Sequence, residues 1–142
     1  MVASGFCTAW MNIILGLIFG CVGSPYTAPA TLYFGLATGV AADGTVTGEP
    51  SGNNYSRKSI TNDTDLWNTA ADGALDNKAA ITFPEASGPW GTLDTVFIAN
   101  HGTNGGAAII AYGTLSVEKT ITSGDTPSFA AGALDISIAA TT

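Results

Sequence analysis

Histidine occurs once in this chain, cysteine twice and basic side chains four times, as Arg57, Lys58, Lys78 and Lys119. Each scarcity excludes a class of chemistry. The lone His101 sits in the turn-forming run His101-Gly102-Thr103-Asn104-Gly105-Gly106, and no Gly-x-Ser-x-Gly elbow supplies a nucleophile for it to activate. Cys7 and Cys21 lack the C-x-x-C spacing of a redox or zinc site, and a single histidine does not complete a ligand set with them. Asp63 and Asp65 share a D-x-D spacing, but a calcium loop started there would place Asn68 where glycine turns the chain and Ala74 where a bidentate carboxylate belongs. Neither a phosphate-cradling loop nor a dinucleotide fingerprint is present. We therefore expect no catalytic residue, no metal site, no cofactor and no enzymatic activity. Nucleic acid is also an unsuitable partner, because the formal charge is −7 and Arg57-Lys58 is the one adjacent basic pair.

Charge of either sign is scarce. Charged residues make up 11% of the 142 and hydrophobic residues 46%, against about 25% charged in an average soluble domain. Such a surface suits a subunit packed among neighbours, since a free monomer relies on dispersed charge for solubility. The length fits one domain able to bury a core of its own. The same composition argues against disorder, whose signature is low hydrophobicity with high net charge.

The apolar run from Trp10 to Val22 is broken only by Asn12. No Lys or Arg precedes it, as a signal peptide would require, and its roughly 13 residues fall short of the ~20 that span a bilayer. The expectation is an apolar helix within residues 1–24, closed by Gly23-Ser24-Pro25, and no membrane span. Met11, Ile14, Leu15 and Ile18 form one stripe at i, i+3, i+4 and i+7, while Phe6, Trp10, Leu17 and Phe19 make the remaining surface nearly as apolar. A helix of this kind must be covered on several sides, by its own domain or a neighbouring subunit as the favoured reading, with a membrane-related role as the alternative. Within one helix, Cys7 and Cys21 would stand roughly 21 Å apart, too far for a disulfide, so two buried thiols are expected, with an intermolecular disulfide as the alternative.

From residue 25 onward the pattern is that of β-structure, and 25–142 reads as a single domain. Ala30 to Thr38 alternates Leu32, Phe34 and Leu36 with Thr31, Tyr33 and Gly35. Gly39 to Asn54 is a long glycine-rich loop, Tyr55 to Thr61 a short strand, and Asn62 to Asn77 a polar stretch held by Leu66 and Trp67. Ala80 to Phe83, Leu93 to Ala99, Ala107 to Leu115 and Leu134 to Ile138 are further strands, separated by runs of Gly, Pro, Asn, Asp and Ser. Leu134 and Ile136 are expected to point inward in the last of them. With the strands from Leu32 onward taken as self-contained, the helix is expected to be separable from the β-domain. Trp90, between Gly88-Pro89 and Gly91, could present its indole to a sugar, but packing in a core or interface is favoured by about three to one.

The order of several stretches resembles a known family. They are Tyr26 to Thr38, Gly48 to Arg57 (Gly-Glu-Pro-Ser-Gly-Asn-Asn-Tyr-Ser-Arg), Ala80 to Pro84, Gly88 to Thr92, and Ser123 to Leu134. Together they resemble small virion proteins of tailed bacteriophages, commonly labelled tail fibre proteins and in some phages found as capsid cement or decoration proteins. The uncharged run Cys7 to Cys21 departs from the charged amphipathic helix with which that family usually begins. The resemblance implies a β-sandwich or jelly-roll-like domain assembled as a homo-oligomer, often a trimer, in the virion; with the N-terminal apolar α-helix read from the residues themselves, the expected fold is all-β with that one helix. The favoured role is a capsid cement protein on the head surface, bridging the major capsid protein or other virion proteins. The alternative is a tail fibre or tail-tip module that binds a host-surface glycan. Phe6, Trp10, Met11, Ile14, Leu15, Ile18, Trp67 and Trp90 are the candidate interface residues.

Overall fold

A computed structural model of the chain describes residues 5–20, 27–103 and 109–137. A two-residue strand, β1 (Gly5–Phe6), leads into α1 (Thr8–Phe19), the one helix among the described residues. Ten strands follow: β2 (Thr31–Ala37), β3 (Gly39–Val40), β4 (Val46–Thr47), β5 (Lys58–Thr61), β6 (Ala74–Asp76), β7 (Ile81–Thr82), β8 (Gly91–Ala99), β9 (Ile109–Ile121), β10 (Ser128–Phe129) and β11 (Asp135–Ser137). The main sheet is antiparallel, in the order β1-β9-β8-β2-β5. Three two-stranded ladders, β10-β7, β11-β6 and β3-β4, complete the β-structure of the described residues.

Side-chain alternation gives the main sheet two buried faces. Leu32, Phe34 and Leu36 of β2 lie on one face with Val96 and Ile98 of β8, because Phe34 is opposite Ile98 and Leu36 opposite Val96. Leu66, Ile81, Phe83, Ala86 and Trp90 close over this larger cluster, with Phe129, Leu134 and Ile136 packed against it. Ala37, Phe97, Ala99 and Ile109 occupy the other face with Cys7 and Val40. A strand covered on both sides has no polar face, which is why β8 reads Val-Phe-Ile-Ala without interruption and is buried throughout that run. The result is an all-β body with one helix, in which short ladders face one broad sheet.

Several elements differ from the sequence expectation. The glycine-rich segment after β2 contains the β3-β4 hairpin, and the polar segment after β5 contributes β6. Strand β9 runs six residues beyond Leu115, to Ile121. Its register with β8 shifts midway: Leu93 pairs with Lys119, but Thr95 pairs with Thr114, so residues 115–118 bulge out opposite Asp94. Leu134 and Ile136 are half-buried, since β11 pairs only with short β6 at the margin of the core. The helix stops at Gly20, whose left-handed backbone (φ 67°) bonds back to the Gly16 carbonyl. The expected closure at Gly23-Ser24-Pro25 lies outside the described residues, as do Cys21 and Ile138.

Nor is the N-terminal segment a layer apart from the sheet. β1 extends the main sheet through Gly5 opposite Tyr112 and Phe6 opposite Ala111. Cys7 is fully buried and Trp10 joins the larger cluster. Removal of this segment would take core residues with it, so the expected separability gives way to a helix with one inward face.

One polar side chain ties the small ladders together. Asn77 is fully buried. It donates to the carbonyls of Ala79 and Ala130 and accepts from the Leu134 N–H, each at 2.8 Å. Asn77→Ala would strand these backbone groups in the interior, at a cost of about 1–3 kcal/mol. Urea denaturation checks this, with a lowered midpoint and an unchanged slope as the expected result.

Candidate assembly surfaces

A buried charged clip fixes the loops at one side of the sheet. Arg57 and Glu49 have side chains only 2% exposed. Arg57 Nε donates to Glu49 Oε1 at 2.7 Å and an Nη donates to Oε2 at 2.8 Å, a two-pronged pairing that matches the planar guanidinium to the carboxylate. The other Nη donates to the His101 carbonyl at 2.9 Å, and the guanidinium stacks 4.9 Å from the Phe97 ring centre. The Gly48–Arg57 stretch is thereby tied to the chain beyond β8 through side chains that are almost fully buried.

Tyr55 extends this clip to the sheet edge. The β2-β5 ladder ends where Phe34 meets Lys58, leaving Leu36 beyond it. The Tyr55 hydroxyl takes the place of a strand partner there, accepting from Leu36 N–H at 3.0 Å and lying 3.3 Å from the Leu36 carbonyl; it is also 3.0 Å from Glu49 Oε1. Asn53 and Asn54, both left-handed, turn the chain into this position, and their side-chain amides donate to the carbonyls of Pro89 and Glu85. The stretch Gly48 to Arg57 is therefore a brace built from the polar groups of Glu49, Asn53, Asn54, Tyr55 and Arg57.

Burial pushes the Tyr55 hydroxyl well above a tyrosine's ordinary range, with the Glu49 charge adding to the effect. An unfolded tyrosine releases its proton near pH ~10, whereas the folded Tyr55 keeps it. The stability contributed is complete below that pH and is lost as pH rises beyond it. Alkaline denaturation followed by circular dichroism should show this decline, with a shallower slope in Tyr55→Phe.

The tryptophans are engaged inside the domain. Trp90 is 7% exposed; its Nε1 donates to the Asn53 carbonyl at 2.9 Å and its ring meets Tyr55 edge-on, with centres 5.1 Å apart. Trp67 is half-buried against Phe34, with Nε1 donating to Asn62 Oδ1. Trp10 lies in the core, and Phe6, in β1, is half-buried. Met11 and Leu15 are exposed and Ile14 half-buried; the side chain of Ile18 lies outside the description. The exposed helical ridge is instead Met11, Leu15 and Phe19, at i, i+4 and i+8. Alternation of apolar residues around the helix hid this division, because every side was greasy.

On the larger-cluster side, a groove of about 870 Å³ runs between the bulge of β9 and the segments that carry β10 and β11. Leu115, Val117, Phe129 and Leu134 line it, with Lys119 and Asp125 among its polar groups. A second hollow of about 380 Å³ shares Val96 and Leu134 with it and reaches Phe6.

The residues weighed for chemistry remain dispersed. Asp63 accepts from the N–H groups of Asp65 and Leu66, an ordinary turn, and Asp65 is an exposed partner of Lys78 at 4.0 Å. His101 Nδ1 bonds Thr103. Cys7 is a free buried thiol, held protonated by its burial and then by the nearby Asp43 charge. Among the described residues no group of three or more His, Cys, Asp or Glu could hold a metal ion, and no helix is long and apolar enough to cross a membrane.

No curated protein matches the chain. A family profile described as podophage GP4 fiber I protein gp80 matches residues 5–137. That span includes the brace, the exposed ridge and the groove, and the description names a fibre component, which gives no support to a capsid cement. The chain belongs to the podophage GP4 fiber I protein gp80 family, and so to the structural proteins of the tailed-phage virion.

Proposed function

We propose that this protein is a structural subunit of the phage tail fibre, with no catalytic role. The family match across residues 5–137 carries the reading. The internal construction supports it: a two-faced sheet and a buried charged clip make a body suited to holding a fixed shape, while the apolar ridge and groove offer surfaces for assembly. Host attachment through a surface glycan belongs to the same reading, with exposed loops as its contacts, because Trp90 is committed to the core. Particle reconstruction, or electron microscopy with an antibody against the chain, tests the assignment. A small fixed copy number at the tail is expected. Hundreds of copies over the head would overturn it and return the role to capsid cement.

A further inference from the structure

We infer that Asp72-Gly73 is a site of spontaneous isoaspartate formation, and that the fold directs this modification there and away from an identical sequence elsewhere in the chain. The inference is independent of the fibre assignment. Ala-Ala-Asp-Gly occurs twice, as Ala41-Ala42-Asp43-Gly44 and as Ala70-Ala71-Asp72-Gly73. Glycine presents its backbone nitrogen unshielded by a side chain, so both copies carry the same intrinsic tendency. In the reaction the glycine nitrogen attacks the carboxyl carbon of the aspartate side chain. A C–N bond forms, and one water leaves, made from the carboxyl hydroxyl and the amide proton. Water then opens the cyclic imide at either carbonyl, which restores aspartate or leaves the main chain routed through the side chain. Nothing is oxidised or reduced, and water is the one co-reactant.

Structure alone separates the two copies. In the first, both reacting groups are tied: Gly44 N–H donates to the Ala41 carbonyl at 2.9 Å, and Asp43 Oδ1 accepts from Thr45 N–H at 2.9 Å. The Thr45 N–H, and then its hydroxyl, also hold the Asp43 carboxyl below the usual carboxylate range, away from the neutral form that loses water. The second copy is a tight two-residue turn, with Asp72 and Gly73 both left-handed (φ 50° and 76°) and Ala71 and Ala74 exchanging backbone hydrogen bonds at 2.9 and 2.8 Å. That pattern leaves the Gly73 N–H and the Asp72 carboxyl without a hydrogen bond among the described residues, and both residues are exposed. Bringing the nitrogen to the carboxyl carbon requires rotation within the turn. At Asp72 this opens the Ala71–Ala74 bridge, which lies at the end of the three-pair β6-β11 ladder. At Asp43 it also breaks the bonds that hold the reacting groups themselves. An isoaspartyl link adds one carbon to the main chain of the Asp72 turn, so β6 should loosen against β11.

Ageing the purified full-length chain in heavy-oxygen water tests this. Tryptic cleavage after Arg57, Lys58 and Lys78 puts Asp43, Asp72 and the separate Asn104-Gly105 sequence on different peptides. Incorporated heavy oxygen marks each imide that has opened, and electron-transfer fragmentation locates the isoaspartate. In the folded chain, isoaspartate should accumulate at position 72 about tenfold faster than at position 43, the ratio that a modest difference in local hydrogen bonding produces. In concentrated urea the two rates should converge, because the surrounding sequence is the same. Asp72→Glu, whose longer side chain closes a ring poorly, should remove the product at position 72 and leave that at position 43 unchanged. Equal rates in the folded chain, or a faster rate at position 43, would overturn the inference. So would a folded chain inert at position 72 while the urea-unfolded chain reacts there, and so would a tenfold preference that persists in urea, since its cause would then lie outside the fold.

Discussion

Arg57→Ala is expected to destabilise the protein by about 3–5 kcal/mol, because it leaves the Glu49 carboxylate buried without its charged donors. The geometry sets the size of the effect. An exposed ion pair contributes about 0–1 kcal/mol, but here both side chains are 2% exposed and the pairing is two-pronged at 2.7 and 2.8 Å. Glu49 would retain only the Tyr55 hydroxyl of its described partners, and the His101 carbonyl would lose its donor. Replacing the pair together, as Glu49→Leu with Arg57→Met, removes the stranded charge and should restore most of the loss. Urea denaturation of both variants measures this. A double variant as unstable as Arg57→Ala would show that the charge itself was not the source of the cost.

Phe97→Ala should cost a comparable ~3–5 kcal/mol, the usual range for deleting a buried aromatic ring. Phe97 is fully buried, its ring supports the Arg57 guanidinium, and it lies where a side chain on Gly35 would otherwise project. Gly35 faces Phe97 across the β2-β8 ladder. Even one methyl group at position 35 would run into the ring, so Gly35→Ala should cost about 1–3 kcal/mol through overpacking. The two sites are coupled: in a Phe97→Leu background the added methyl has room, and its cost should shrink. Thermal unfolding of this double-mutant cycle provides the check. Strict additivity would mean that the ring and the glycine do not share the space.

Local pattern made much of this fold legible. The alternation from Thr31 to Ala37 and the apolar run ending at Ala99 both became strands of the main sheet at almost the expected bounds. A turn glycine also ended the helix, although Gly20 acted before Gly23 could. What could not be read was non-local. Glu49 and Arg57 are eight residues apart in a loop-like stretch, and nothing in that spacing shows that both would be enclosed by Phe97 and the His101 loop. Tryptophan is equally apolar in a core and in an interface, so Trp10 and Trp90 could not be sorted by composition. The bulge in β9 was hidden for a similar reason, since register depends on which partner residues meet across the sheet. Val117 consequently gave no sign of standing out on a groove wall.

The unequal lengths of the ladders bear on the order in which parts of the domain open. β1 is held to β9 by two residue pairs and β11 to β6 by three, whereas β8 and β9 share eight. A ladder of two or three pairs can detach locally without disturbing the central strands. Deeper in, the Arg57 clip ties the Gly48–Arg57 stretch to the chain beyond β8, so the two give way together. The short outer ladders should therefore open at lower cost than the central β8-β9 pair, which keeps the core of the sheet in place.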